Sequence, residues 1–159
     1  MERLWAPWRK AYVNAGASEA GCVLCRALAS TSSADGLVVH VAALSFVVVN
    51  LYPYNAGHLM VAPRRHVGSL AAAEGGELSE MMELARRLES VLAEVYRPDG
   101  INLGMNLGKS AGAGVADHIH LHVVPRWTGD TNFMTVSGDT RVISEDPREA
   151  AARLRPYFG

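Results

Sequence analysis

The chain of 159 residues carries almost no net charge, since 15 lysines and arginines stand against 16 aspartates and glutamates. It therefore lacks the cationic excess with which proteins hold a nucleic-acid backbone, and a polymeric nucleic-acid partner is not expected. It also lacks an apolar run of the roughly 20 residues that a membrane-spanning helix needs, so no membrane partner is expected. The first residues lack the basic start and apolar core of a secretion signal, which favours a cytoplasmic protein.

Cysteine is scarce as well, and the only two cysteines, Cys22 and Cys25, form a Cys-x-x-Cys pair. In a cytoplasmic protein this spacing indicates metal binding or redox use before a structural disulfide. Two buried thiols are the third interpretation, and the spacing alone does not decide among the three.

Hydrophobic patterning predicts a sheet covered by one long helix. The β-rich runs at 37–41 and 45–50 predict a hairpin, and apolar residues at helical spacing predict a helix over 77–96. The remaining predicted elements are strands at 58–62, 101–106 and 118–125, a surface loop at 27–36 and a C-terminal helix at 145–155. An antiparallel sheet with one long packed helix is an α+β fold.

The length is that of one domain, which we take as 1–159. We divide it into an N-terminal extension (1–30) that carries the Cys-x-x-Cys pair, a core (37–136) and a C-terminal segment (137–159).

Half of the six histidines occupy alternate positions in one short stretch: His118, His120 and His122. In a β-strand these three side chains share one face, and the apolar residues between them point into a core. The row is compatible with a half-buried strand, with a metal site or with nucleophilic catalysis. Buried imidazoles each need a hydrogen-bond partner, which disfavours the first interpretation. A neutral imidazole can attack phosphorus and form a covalent intermediate while its neighbours orient it and handle protons.

The residues around the row favour nucleophilic catalysis. His118-Ile-His120-Leu-His122-Val-Val resembles the signature of the histidine triad (HIT) superfamily. Residues 45–63 resemble the family's strand–turn–strand segment, and 104–125 resemble its phosphate loop and triad strand. Residues 4–9 and 127–134 resemble a microbial Fhit-like branch that includes diadenosine tetraphosphate phosphorylases. The resemblance covers residues 3–136 and implies the HIT-like α+β fold and a homodimer whose sheets join across the interface.

By this resemblance His120 is the nucleophile. One of its ring nitrogens must aim a free lone pair at the α-phosphorus, so the other must donate its proton to a fixed acceptor. His122 is expected to hydrogen-bond a phosphate oxygen or assist the leaving group, and His118 to orient the site or bind metal. His58 stands where the family has a further histidine near the site, although a packed structural histidine is an open alternative.

The run from Asn106 to Gly114 resembles the family's phosphate loop, whose glycines let backbone N–H groups approach phosphate closely. It is not a Walker A motif, because Leu103 stands where the first glycine is required. Asn50 is expected to contact the ribose, and Phe46 and Leu51 to flank the adenine unless they belong to the core. The predicted substrate-binding set is Asn50, His58, Asn106, Lys109, Gly112, Ala113, Gly114 and Phe46.

The tryptophan-rich opening, with Trp5, Trp8 and Arg9, is expected either to cover the active site or to pack against the sheet. Trp127 and residues 130–134 are expected on the side of the dimer partner.

The resemblance also implies a structural zinc held by Cys22, Cys25, His66 and His118, a Cys₂His₂ set. Some HIT relatives and the galactose-1-phosphate uridylyltransferases hold zinc with such a set. A uridylyltransferase is disfavoured here, because those enzymes carry proline where this chain has Ile119. Magnesium is a plausible escort for a polyphosphate substrate.

The expected reaction is cleavage of a dinucleoside polyphosphate, diadenosine tetraphosphate, through an adenylyl-His120 intermediate. Inorganic phosphate as acceptor gives ADP and ATP, and we favour this phosphorylase over a hydrolase that uses water and gives AMP and ATP. A nucleoside phosphoramidate hydrolase is the second enzymatic alternative. A zinc-stabilised nucleotide-binding module without turnover is the alternative from another class.

Overall fold

The computed structural model describes residues 21–30, 36–130 and 145–159. The tryptophan-rich opening with Trp5, Trp8 and Arg9 lies outside the described residues, as do 31–35 and the segment 131–144 that follows Asp130. The expectations for those residues therefore stay predictions.

A five-stranded antiparallel sheet carries the fold, with the strand order β1-β2-β3-β5-β4. The strands are β1 (Val38–Val41), β2 (Ser45–Val49), β3 (Leu59–Pro63), β4 (Gly100–Met105) and β5 (Leu121–Arg126). Three α-helices accompany them, α1 (Val23–Ala29), α2 (Gly75–Tyr96) and α3 (Pro147–Leu154), with short 3₁₀ turns at Leu70–Ala72, Lys109–Ala111 and Arg155–Phe158. The α+β prediction is confirmed, and a homodimer stays a prediction.

Helix α2 begins two residues before its predicted start because Glu74 and Glu77 form a capping box. The Glu77 carboxylate accepts a hydrogen bond from the Glu74 amide at 2.8 Å. The helix ends where Arg97 adopts a left-handed conformation, with φ of 49°. Its buried side chains, such as Leu88 and Leu92, pack against the side chains of Leu59 and Val123 on one face of the sheet.

The opposite face of the sheet carries a second, smaller core beneath α1. Leu24 of this helix packs with Phe46, Val48, Met60 and Ala62. The loop predicted at 27–36 is wrong for residues 27–29, which form the last turn of α1. A seven-residue helix is too short to be stable from its own hydrogen bonds. Packing on the sheet stabilises it, and this places Cys22 and Cys25 beside His118.

Within the described parts of the chain, no helix has the length and apolar character to cross a membrane.

Candidate active site and metal cluster

The triad segment leaves the sheet earlier than predicted. Strand β5 begins at Leu121, so the expectation of a strand from residue 118 is wrong for His118 and His120. The Ile119 amide donates its hydrogen bond to the carbonyl of Val67, at 2.8 Å, and not to a neighbouring strand. This contact draws the backbone towards the loop after β3 and separates the His118 ring from the other two rings.

His120 and His122 remain neighbours, with ring centroids 4.8 Å apart and the rings edge to face. The His118 ring lies instead against His66, at 5.1 Å between centroids. All three triad side chains are buried. His120 and His122 therefore lie together at the candidate reaction centre, and His118 lies in a separate cluster with His66.

His120 is held in the tautomer that a nucleophile needs. Its Nδ1 atom lies 2.9 Å from the backbone carbonyl oxygen of His118. A carbonyl can only accept, so Nδ1 carries the proton and Nε2 keeps a free lone pair. Burial lowers the pKa of His120 and outweighs the opposing effect of this hydrogen bond. The ring is therefore neutral near pH 7.

His122 is held in the opposite tautomer, with its proton on Nε2, by a chain of hydrogen bonds. The Tyr54 amide donates to Nδ1 of His58, at 3.0 Å. Nε2 of His58 must then carry the proton and donate it to Nδ1 of His122, also at 3.0 Å. That leaves an N–H on Nε2 of His122 to face a ligand.

The charge state of His122 agrees with this chain. Burial, and next the nearby His120, lower the pKa of His122 to about 4. At neutral pH His122 is thus an uncharged hydrogen-bond donor. His58 is fully buried and also contacts His122. It is therefore both a packed histidine and a neighbour of the candidate reaction centre.

The candidate phosphate loop is folded on its own hydrogen bonds. Gly108 and Gly112 have φ values of 83° and 88°, which side chains other than glycine rarely adopt. The amides of Gly112 and Ala113 donate to the carbonyls of Lys109 and Gly108. Phosphate contacts through these two amides, as predicted from the sequence, would need the loop to rearrange, whereas Lys109 and Gly114 are exposed.

The two predicted nucleoside contacts end up in different surroundings. Asn50 is buried beside His58, with its Nδ2 atom 3.4 Å from Nδ1 of His58. Its Oδ1 atom accepts from the Tyr52 amide at 3.0 Å. Phe46 has no exposed surface and lies in the second core. The prediction that Phe46 flanks the adenine is therefore not supported, since its ring has no face open to a base in this conformation, while Leu51 is exposed.

Cys22, Cys25, His66 and His118 converge on one point. Their four ligand atoms all lie within 4.8 Å of one another, so this group could hold a metal ion. The distances from Nδ1 of His118 to the two sulfur atoms are 3.4 and 3.6 Å, and Nδ1 of His66 lies 3.4 Å from Sγ of Cys25. Tetrahedral zinc with ordinary bond lengths separates sulfur from nitrogen by about 3.5 Å.

The second nitrogen of His118 supports the same interpretation. Nε2 of His118 lies 2.8 Å from the carbonyl oxygen of Pro63, so it donates its proton there. This leaves the lone pair of Nδ1 directed at the sulfur atoms, which is how a carbonyl fixes the tautomer of a metal-binding histidine. His118 thus joins the cluster to the candidate reaction centre, because its ring belongs to the cluster and its carbonyl orients His120.

Comparison with known proteins agrees with this geometry. A family model described as the HIT domain matches residues 31–129. The chain belongs to the HIT family. It is 42% identical over 163 aligned positions to the AP-4-A phosphorylase of Mycobacterium tuberculosis, covering 97% of this chain and 83% of that protein. It is 39% identical over 122 positions to a bis(5'-adenosyl)-triphosphatase of Dictyostelium discoideum, covering 72% of this chain and 80% of that one.

A solved structure is also similar. The Zn-bound histidine triad family protein from Mycobacterium smegmatis superposes with a TM-score of 0.68 at 28% sequence identity, over 86% of this chain and 92% of that one. A HIT protein of the same fold therefore binds zinc.

This HIT domain carries a tether that sequence patterns did not reveal. Asn55 donates to the carboxylate of Asp130 at 2.8 Å and to the carbonyl of Pro125 at 2.9 Å. Arg126 pairs with the same carboxylate through Nε and Nη2, which holds the pKa of Asp130 well below its usual range. The tether fixes the loop that presents Tyr54 and His58 against the end of β5. Its partners are far apart in the chain, so no local pattern announces them.

Proposed function

We propose that this HIT protein cleaves diadenosine tetraphosphate by transferring an adenylyl group to His120 and then to inorganic phosphate, with ATP and ADP as products. The observation that carries the proposal is the contact between Nδ1 of His120 and the His118 carbonyl, which leaves Nε2 as a buried, neutral nucleophile. The relative named AP-4-A phosphorylase, which aligns over 97% of the chain, supports the choice of substrate.

In the first step Nε2 of His120 attacks the α-phosphorus. A phosphorus–nitrogen bond forms, the bond to the bridging oxygen breaks, and ATP leaves. The imidazole becomes positively charged, and its Nδ1–H bond to the His118 carbonyl is strengthened by that charge. Nε2–H of His122 donates a hydrogen bond to oxygen on the phosphate or the departing group, where negative charge develops.

In the second step an oxygen of inorganic phosphate attacks the same phosphorus. The phosphorus–nitrogen bond breaks, ADP leaves and the neutral tautomer of His120 is restored. Asn106 at the entrance of the phosphate loop and the exposed Lys109 are the groups we propose for phosphate binding. Magnesium bound to the polyphosphate would offset negative charge that Lys109 alone does not neutralise.

We propose zinc for the Cys₂His₂ cluster. Four protein ligands leave no open position for substrate, so such a zinc supplies a structural crosslink. It would join α1, the loop after β3 and His118. We also propose a homodimer, because β4 is an edge strand in the described part of the sheet and has exposed side chains, and an edge strand can pair with a second chain.

Replacing His66 by glutamine is expected to lower the zinc content of purified protein from about one ion per chain to a small fraction, since it removes one of four ligands. His40→Gln is the matched control, because His40 lies in β1 and its ring packs against Phe158 at 5.2 Å. Elemental analysis after dialysis decides. Equal zinc content in both variants, or none in the parent protein, would exclude this ligand set.

The acceptor is tested by the products formed from diadenosine tetraphosphate with and without inorganic phosphate. We expect ADP and ATP in equal amounts, and turnover that depends on phosphate. AMP and ATP at a rate indifferent to phosphate would show that water is the acceptor, the outcome that the triphosphatase relative suggests. Absence of cleavage with either acceptor would refute the proposed reaction and return phosphoramidate hydrolysis and the nucleotide-binding module to consideration.

A further inference from the structure

We propose that a cleft along β4 and β5 binds the nucleoside of the departing ATP, with Tyr54 and Arg126 as its walls. This inference rests on the proposed function and deepens it. The cleft has a volume of about 310 Å³ and is lined by Tyr54, Asn102, Asn106, His122, Val124 and Arg126, among others.

The position of the cleft selects the departing half of the substrate. Of the triad, only His122 lines it within the described residues, and Asn106 borders the same end. In the proposed reaction the transferred adenylyl group stays on His120, whereas the N–H of His122 faces the departing ATP. Alternate residues of a strand are about 6.7 Å apart, so Arg126 lies about 13 Å beyond His122 along β5. The far end of the cleft is thus reached by the end of the departing group and not by the phosphorus under attack.

Arg126 is built as a fixed plane and not as a free cation. Its Nε and Nη2 atoms donate to Asp130, and Nη1 donates to Oδ1 of Asn102 at 2.9 Å. The carboxylate offsets the charge that a phosphate would seek. A guanidinium locked in this way presents a planar surface suited to stacking on an aromatic ring.

Tyr54 offers a second planar surface in the same cleft. Its ring lies against His58, with centroids 4.6 Å apart, and stacks over His122 at 5.8 Å. The tether between Asn55 and Asp130 fixes the loop that carries it. An aromatic ring, a held guanidinium and the amide groups of Asn102 and Asn106 are the chemistry that recognises a nucleobase, by stacking on its faces and hydrogen bonding at its edges.

The test compares two substrates that differ only in the departing group. Diadenosine tetraphosphate releases ATP, whereas adenosine 5'-tetraphosphate releases triphosphate without a second nucleoside. Tyr54→Leu is expected to raise KM for diadenosine tetraphosphate about tenfold, the loss typical of one stacking partner. It should leave KM for adenosine 5'-tetraphosphate within about twofold. Tyr52→Leu is the matched control, since this exposed tyrosine of the same loop does not line the cleft.

A second variant guards against a structural effect of Tyr54 on His122. Asn102→Ala removes an amide from the cleft and the hydrogen bond that Nη1 of Arg126 donates, while the bonds of Arg126 to Asp130 remain. It is expected to raise KM several-fold for diadenosine tetraphosphate alone. An equal rise in KM for both substrates, or no rise for either, would overturn the cleft assignment. Cleavage by the parent protein would still support the proposed reaction. A parent protein that cleaves neither substrate would overturn the proposed function, and the cleft assignment with it.

Discussion

Replacing His120 by asparagine is expected to reduce turnover of diadenosine tetraphosphate by roughly 10⁵-fold, the scale seen when a covalent nucleophile is removed. The asparagine amide can still donate to the His118 carbonyl, as Nδ1 of His120 does at 2.9 Å. It offers nothing at the position of Nε2, so the nucleophile is lost while the backbone contact is kept. Steady-state kinetics measures the loss, and calorimetry with uncleaved substrate measures binding.

His40→Asn is the control for this experiment, because it makes the same change at a histidine of β1 that packs on Phe158. We expect parent-like turnover from the control and nucleotide affinity within a few-fold of the parent from His120→Asn. If His120→Asn retained turnover within tenfold of the parent, His120 would not be the nucleophile.

Replacing His58 by leucine is expected to lower kcat roughly 100-fold at pH 7, at the low end of what positioned proton donors contribute. Leucine removes the N–H that His122 receives at 3.0 Å and leaves the Tyr54 amide without its acceptor. Nδ1 of His122 can then take a proton, and the ring can turn away from the tautomer in which Nε2 donates. His58→Gln is the matched variant, since its side-chain amide can donate to His122 and accept from Tyr54, and it should lose far less.

The pH profile separates this positioning role from loss of packing. The pKa of His122 is about 4 in the folded protein, below the ordinary value of 6.5. In the parent protein the contribution of His122 to the acid limb of kcat should therefore lie near pH 4, and protonation of His120, whose pKa burial also lowers, should add to the same fall. In His58→Leu the acid limb should move to higher pH, because the N–H of His58 that favours the neutral form of His122 is lost. A general packing defect would lower kcat at every pH and leave the limb where it was.

Stability must be followed across the same range. Because the folded pKa of His122 is lower than the unfolded one, the folded state binds fewer protons between pH 4 and 6.5. The contribution of His122 to the free energy of unfolding is full above pH 6.5 and is lost as pH falls towards 4. Activity should therefore be compared only where near-ultraviolet circular dichroism shows the native fold.

The sequence predicted those features of the site that depend on local pattern or on one chemical requirement. Helix α2 has a long amphipathic repeat, and β2 and β3 have dense β-branched runs, so their boundaries fall within two residues of the prediction. The demand that a nucleophilic imidazole donate its other proton to a fixed acceptor anticipated the contact between His120 and the His118 carbonyl.

Features set by partners far apart in the chain were not predictable in this way. His118 leaves the sheet because Ile119 bonds to Val67, and no pattern near residue 118 encodes that contact. The sequence around Phe46 is compatible with a base contact or with a core residue. Packing of α1 over Phe46 makes it a core residue. Tyr54 and Arg126 meet in one cleft because the strand order brings their segments together.

The central claim is a covalent adenylyl group on His120, and mass spectrometry of the quenched reaction tests it most directly. Protein is mixed with diadenosine tetraphosphate while inorganic phosphate is withheld, stopped within milliseconds in alkaline denaturant and digested for peptide mapping. We predict one adenylyl group on the peptide that contains His120, lost as ADP when phosphate is added and absent from His120→Asn. Cleavage of the substrate with no adenylylated protein at any time point, or with the group on another residue, would contradict it.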